Sequence, residues 1–86
     1  MATEKVEAPS RKEIRIGMLG SGFMGKCHTN AYKKIPYIYA EAGIHPRLLV
    51  ICDKDGARVR QQSARYGYEE YCTDWKDLVG DPGVDV

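Results

Sequence analysis

The segment Gly20-Ser21-Gly22-Phe23-Met24-Gly25 constrains this chain more than any other. It directly follows an apolar run, Ile14-Arg15-Ile16-Gly17-Met18-Leu19, and opens a stretch with helical periodicity. A G-x-G-x-x-G string between a strand and a helix is the context in which such a loop cradles a dinucleotide. Each glycine answers a separate requirement: Gly20 for the tight turn out of the strand, Gly22 for backbone approach to a pyrophosphate, Gly25 for close packing of helix on strand. Side chains are not expected to fit at the first two places. Ser21, Phe23 and Met24 complete the expected phosphate loop, with the phosphates on unpaired N–H groups at the helix start, where the helix dipole favours an anion. The alternative is a glycine-rich turn that only joins a strand to a helix, since glycine is the default residue for positive φ.

A second signal lies downstream. Arg47-Leu48-Leu49-Val50-Ile51-Cys52 reads as a buried strand, and it ends in Asp53. An acid at the end of the second strand of a βαβ unit can accept hydrogen bonds from the adenosine ribose hydroxyls. It also repels a 2′-phosphate, which favours NAD over NADP. The separation from Gly25 exceeds the roughly 20 residues usual for this fingerprint, so residues 36–46 must absorb the excess as an extended helix end and loop. Lys54 and Arg58 lie close by and could tolerate a phosphate. Asp53 and Asp55 could instead serve only as turn and helix-cap acids.

Composition narrows the class of function. The formal net charge is +1, and no basic stripe with interleaved aromatics appears, so nucleic-acid binding has little support. The longest apolar run is about five residues, against the ~20 of a membrane span, and the first residues lack the apolar core of a signal peptide. A soluble, cytoplasmic protein is expected. The three cysteines, Cys27, Cys52 and Cys72, form no C-x-x-C pair and are odd in number, which argues against a disulfide framework or a zinc site. Each reads as a small buried apolar residue.

The order of elements follows from the same residues. Residues 1–12 are polar, contain Pro9 and Ser10, and are expected to form a disordered tail. Met24, Cys27, Ala31 and Ile35 recur at helical spacing and offer the first helix a face for the sheet. Pro36 is expected to end that helix, and Gly43 with His45-Pro46 to reset the chain before the second strand. Asp55 and Gly67 are expected to cap a second helix at its two ends. The residues from Tyr68 to Cys72 could be a short extended segment. Asp74 then caps a short helix whose Trp75, Leu78 and Val79 face the core. The turn at Gly80-Asp81-Pro82-Gly83 opens what looks like a third strand. This is an α/β arrangement, the N-terminal part of a Rossmann-type doubly wound parallel sheet. It is incomplete, because a full dinucleotide domain needs two βαβαβ halves and residues 13–86 hold little more than the first. A strand that starts and is cut off suggests a piece of a longer protein.

These residues resemble a known family. The run from Ile14 to Tyr32, with its glycine loop, His28 and Ala31-Tyr32, is similar to the N-terminus of the glucose-fructose oxidoreductase and inositol dehydrogenase family, Gfo/Idh/MocA. So are Asp53, Ala64-Arg65-Tyr66-Gly67, Tyr71-Cys72-Thr73-Asp74-Trp75-Lys76-Asp77-Leu78 and Asp81-Pro82-Gly83-Val84-Asp85-Val86, in that order. The resemblance implies a two-domain enzyme that moves a hydride between NAD(P) and a hydroxyl carbon of a sugar, inositol or related polyol; a homo-oligomer is compatible with it. Only the cofactor half carries over: Gly20, Ser21, Gly22, Phe23, Met24 and Gly25 at the phosphates and Asp53 at the ribose. The family's Glu-Lys-Pro motif and later histidine are expected beyond this chain, so no catalytic residue is assigned here.

His28, one turn inside the first helix, is read as a packing or capping residue, and His45 as a loop residue. Two other classes of function stay open. The loop and acid could serve S-adenosylmethionine, although Gly25 argues for a pyrophosphate. Or the chain is a non-catalytic fragment that pairs with another protein through the edge of an incomplete sheet.

Overall fold

A computed structural model describes residues 2–7 and 10–86. Strand β1 (Lys12–Leu19) leads into helix α1 (Phe23–Ile38), a 3₁₀ turn (Ala40–Ala42) and strand β2 (Ile44–Cys52). Helix α2 (Gly56–Tyr66), strand β3 (Glu70–Cys72) and helix α3 (Trp75–Val79) follow. The three strands form one parallel sheet in the order β1-β2-β3, so the chain is an α/β fold of the expected kind. The third strand is thus Glu70–Cys72, ahead of the last turn. Residues 84–86 take another place: Asp85 N–H and Val86 N–H donate to Arg15 O, and Gly17 N–H donates to Val86 O at 2.9 Å. The chain end therefore runs along the free edge of β1, where a fourth strand of a doubly wound sheet belongs.

Of the tail expected over residues 1–12, residues 1, 8 and 9 lie outside the described residues. Residues 2–7 are exposed and carry no helix or strand, and β1 begins at Lys12.

Alternation along the strands divides the apolar residues between two faces. Met18, Ile51, Val59, Tyr66 and Tyr68, joined by Tyr32 and Leu48, form one core, to which α1 and α2 contribute. Val50, Cys52 and Leu78, joined by Leu49, Cys72 and Val84, form the other core, to which α3 contributes. The register of β1 on β2 slips between Ile16 and Gly17, which pair with Leu48 and Val50 and leave Leu49 as an extra residue. That bulge lets Leu49 and Val50 serve the same core although they are neighbours in sequence. Gly17 sits where this core is tightest. A Cβ there would come within 2.8 Å of Leu78 Cδ1 and 2.9 Å of Val84 Cγ1.

Four expectations are corrected. The face of α1 that meets the sheet is Gly25, Thr29, Tyr32 and Pro36, with Ile35 beside it half-buried; Met24 is 62% exposed, and Cys27 and Ala31 also face solvent. The cause is Gly25, which packs so closely on Gly20 O that a Cβ would collide with it. That backbone contact sets the rotation of the helix, and Thr29 then turns inward, where its hydroxyl meets Tyr68 OH at 2.7 Å. Cys27 and His28 consequently lie on the outer surface. Second, α1 runs through Pro36 to Ile38, since a proline in the last turn forfeits a single backbone hydrogen bond. Third, His45 and Pro46 lie inside β2. β3 pairs with Val50, Ile51 and Cys52 alone, so Pro46 occupies a stretch of β2 with a free edge, where its missing N–H costs little. Fourth, Leu78 alone holds α3 on the core, because Trp75 and Val79 are 55% and 70% exposed. The caps match expectation. Asp55 Oδ1 accepts from Arg58 N–H at 3.0 Å, Asp74 Oδ1 from Lys76 N–H at 3.0 Å, and Gly67 closes α2 with φ +86°.

Candidate functional site

A parallel sheet delivers the loops that follow its strands to one rim. Here that rim gathers the glycine loop after β1, Asp53 after β2 and Thr73 after β3. Gly20 has φ +103°, which favours glycine even though a Cβ would meet nothing; its N–H donates to Cys52 O at 2.7 Å and ties the loop to the end of β2. Gly22 has an ordinary backbone, φ −79° and ψ −156°, and a Cβ there would also face open space. The expectation that a side chain could not fit at these two places is therefore corrected: the fold leaves room at both. At Gly22 neither strain nor crowding within the chain demands glycine.

Among the three α-helices of the described residues, α1 alone has no side-chain cap; Gly22 stands at its N-cap. Its first N–H groups stay available to an external acceptor, the arrangement that binds phosphates. Phe23 and Met24 follow with side chains 77% and 62% exposed. Their backbone belongs to the helix start while their side chains turn away from the core.

Asp53 and Ser21 form the buried centre of the rim, at 9% and 0% exposure. Asp53 Oδ2 accepts from Ser21 N–H at 2.9 Å, Ser21 Oγ at 2.8 Å and Arg58 Nη2 at 2.8 Å, while Oδ1 accepts from Asp55 N–H at 3.1 Å. Burial pushes the Asp53 carboxyl up, but the bonds from Asp55, Arg58 and Ser21 outweigh it and hold the group well below the usual carboxylate range. It is a buried anion stabilised by directed donors. Arg58 also reaches Ser21 Oγ with Nε at 3.3 Å, and its side chain is 48% exposed. The sequence places Arg58 near Asp53 as a residue that could tolerate a phosphate, and its pairing with that carboxylate is not legible there. Its ion pair follows from the Asp55 cap, which starts α2 so that the first turn carries residue 58 back toward residue 53.

A cavity of about 270 Å³ opens on this rim between Leu19, Gly20, Asp53, Lys54, Thr73 and Trp75. A larger groove, about 430 Å³, lies between α1 and α2, but neither Asp53 nor a loop glycine lines it. Among the described residues no group of three or more His, Cys, Asp or Glu side chains could hold a metal, and no helix is long and apolar enough to cross a membrane. The cysteines are free: Cys27 is exposed, which corrects its reading as buried, Cys52 is buried and Cys72 half-buried. Burial and the adjacent Cys52 push the Cys72 thiol up to about 12.

The uncapped helix, the glycine turn and the acid at the end of the neighbouring strand define the first βαβ unit of a dinucleotide-binding fold. No family model matches the chain. It is 31% identical over 75 residues to levoglucosan dehydrogenase of Pseudarthrobacter phenanthrenivorans, covering 87% of this chain and 19% of that protein. It is 28% identical over 75 residues to an uncharacterized oxidoreductase, YrbE, of Bacillus subtilis, covering 87% of this chain and 20% of that one. Levoglucosan dehydrogenase solved in complex with NADH superposes with a TM-score of 0.80 at 30% identity, over 85% of this chain and 20% of the other. An NAD binding oxidoreductase from Klebsiella pneumoniae superposes with a TM-score of 0.76 at 38% identity, over 84% and 19%. The chain spans about a fifth of the length of the curated relatives it matches. These similarities fit the resemblance of the chain to the N-terminal portion of the Gfo/Idh/MocA oxidoreductases.

Proposed function

We propose that this chain binds NAD as the N-terminal part of an oxidoreductase acting on a sugar or related polyol. Residues 12–86, from the start of β1, are the first part of the cofactor domain. The observation that carries the reading is the pairing of an uncapped α1, entered through a glycine that the fold itself does not require, with a buried ionised acid at the end of the next strand. Gly20, Gly22 and the start of α1 at Phe23 and Met24 hold the pyrophosphate; Gly25 keeps helix and loop in contact, and Ser21 orients Asp53. Asp53 receives the adenosine ribose through its less occupied Oδ1. The carboxylate disfavours a 2′-phosphate, so NAD is preferred to NADP.

When bound, the nicotinamide accepts or donates a hydride at the substrate carbon. No Glu-Lys-Pro sequence occurs in these 86 residues, and the proton transfer that accompanies the hydride is assigned to other parts of the protein. S-adenosylmethionine is disfavoured by the close approach of Gly25 to Gly20 and by relatives solved with NADH. Three free cysteines fit a cytoplasmic setting.

Calorimetric titration with NADH tests the reading, with S-adenosylmethionine as control. NADH is expected to bind and S-adenosylmethionine to give no heat. Gly22→Val should melt like the wild type yet lose NADH, because its side chain fills the pyrophosphate approach. Undiminished NADH affinity in that variant would overturn the assignment.

A further inference from the structure

The formal net charge of +1 conceals an uneven distribution. Helices α1 and α2 together carry six lysines and arginines, Lys26, Lys33, Lys34, Arg58, Arg60 and Arg65, and neither helix contains an aspartate or glutamate. Both helices pack on the same core, and the groove of about 430 Å³ between them is lined by Lys26, Asn30 and Lys33 from α1 and by Arg65 and Tyr66 from α2, with the Phe23 ring at the loop end. Cations from the two helices converge there. Lys33 reaches across to the end of α2, where its Nζ would stand 3.7 Å from a Cβ at Gly67. Among the described residues, Arg58 alone of the six makes an ion pair, with Asp53 at the rim; the three that line the groove make none.

We propose that this groove docks an extended acidic segment of a partner protein, with carboxylates on Lys26, Lys33 and Arg65 and an apolar residue against Phe23. A cleft lined by one sign of charge focuses its field on an incoming segment of the other sign. Dimension selects the class of ligand. Lys26 and Lys33 stand about 10 Å apart along α1, a span wider than one phosphate group, whereas an extended chain advancing about 3.3 Å per residue sets carboxylates at every third position at the same interval. A nucleic acid of equal charge needs several rings on which to stack. Phe23, 77% exposed, is the only open ring of the groove, because Tyr66 is 8% exposed. The groove contains neither Asp53 nor a loop glycine, so it is independent of the dinucleotide reading.

A capped peptide with glutamate at every third position and phenylalanine at one end is the probe, titrated by calorimetry against the whole chain, with its glutamine counterpart, tripolyphosphate and oligothymidylate as controls. The glutamate peptide is expected to bind, more weakly as salt rises, and the glutamine peptide to give no heat. Lys33→Glu combined with Arg65→Glu should raise the Kd about tenfold or more. Lys34→Glu combined with Arg60→Glu makes the same change of charge outside the groove and should stay within about threefold of the wild type. All four side chains are exposed, so both double variants should melt near the wild type; Lys33→Gln combined with Arg65→Gln decides if the reversal does not fold. Gly22→Val, altered only in the loop, should bind the peptide as the wild type does. No heat from the glutamate peptide, equal losses in the two double variants, or tripolyphosphate or oligothymidylate bound as tightly as the peptide would overturn the proposal, as would sedimentation showing that a second copy of the chain fills the groove.

Discussion

The two ends of the sheet use the same chemistry to different effect. At the rim where the strands begin, Arg15 pairs with Asp85, and Arg47 with Glu13 and Glu69, through side chains 36% to 50% exposed. At the rim where they end, Arg58 pairs with an Asp53 side chain only 8% exposed. A solvated ion pair gains little, because water and salt already screen its charges. A buried carboxylate is costly unless donors surround it, and the glycine loop supplies two of the donors to Asp53 through Ser21. Burial thus makes Asp53 an organiser of the loop, whereas Asp85 is a surface partner that fastens residue 85 to β1.

Substitutions at the two rims should separate in size. The largest effect is expected from Gly25→Val, whose Cβ would collide with Gly20 O. It should destabilise the chain by about 3 kcal/mol and abolish NADH binding, read by urea denaturation and calorimetry; a variant as stable as wild type would show that helix and loop are not locked together. Asp53→Ala comes next. It leaves the donors of Ser21 without their acceptor, at a cost of about 1–3 kcal/mol, and should weaken NADH more than NADPH. An unchanged cofactor preference would remove Asp53 from the ribose.

Acid titration distinguishes the rims through their protons. Asp53 and Asp85 both bind protons less readily folded than unfolded: Asp53 for the reasons given above, and Asp85 because Arg15 hydrogen-bonds and attracts it, which brings it to about 2. The unfolded chain therefore binds more protons in acid, so the contribution of both groups is complete above the ordinary value of 3.8 and is lost as the pH falls through it toward the folded values. The urea midpoint should be level near neutrality and fall below about pH 4. Added salt should weaken the Asp85 part and spare that of Asp53, while Asp53→Asn should remove the salt-resistant part. A fall abolished entirely by salt would place the acid sensitivity at the exposed rim. The smallest effect is expected from Arg15→Ala, a slight shift of the midpoint that disappears in salt and leaves NADH binding unchanged.

Local signals carried much of this molecule. Strand, glycine loop and helix were legible because positive φ, helix capping and apolar runs are properties of neighbouring residues, and so were the caps at Asp55, Gly67 and Asp74. The inward face of α1 was not legible from apolar spacing. Met24, Cys27 and Ala31 outline a plausible stripe, yet Gly25 rotates the helix so that a threonine and a tyrosine meet the sheet instead. Pro46 was misread for a related reason: whether a proline can sit in a strand depends on which edge is free, and that is decided by the length of another strand. Trp75 reads as core in sequence and stands open at the rim, because Leu78 alone meets the second core.

The sequence by itself determined the parallel α/β class and the succession of strand, glycine loop, helix and a second strand ending in an acid, since each is written in contiguous residues through backbone conformation and hydropathy; it did not place the third strand, which is Glu70–Cys72. Only the tertiary structure decided that Ser21 and Arg58 close on Asp53, that α1 turns its Gly25 face inward, and that the chain end pairs along β1. These depend on atoms brought together from distant parts of the chain, where packing distance and burial, rather than local preference, set the energy.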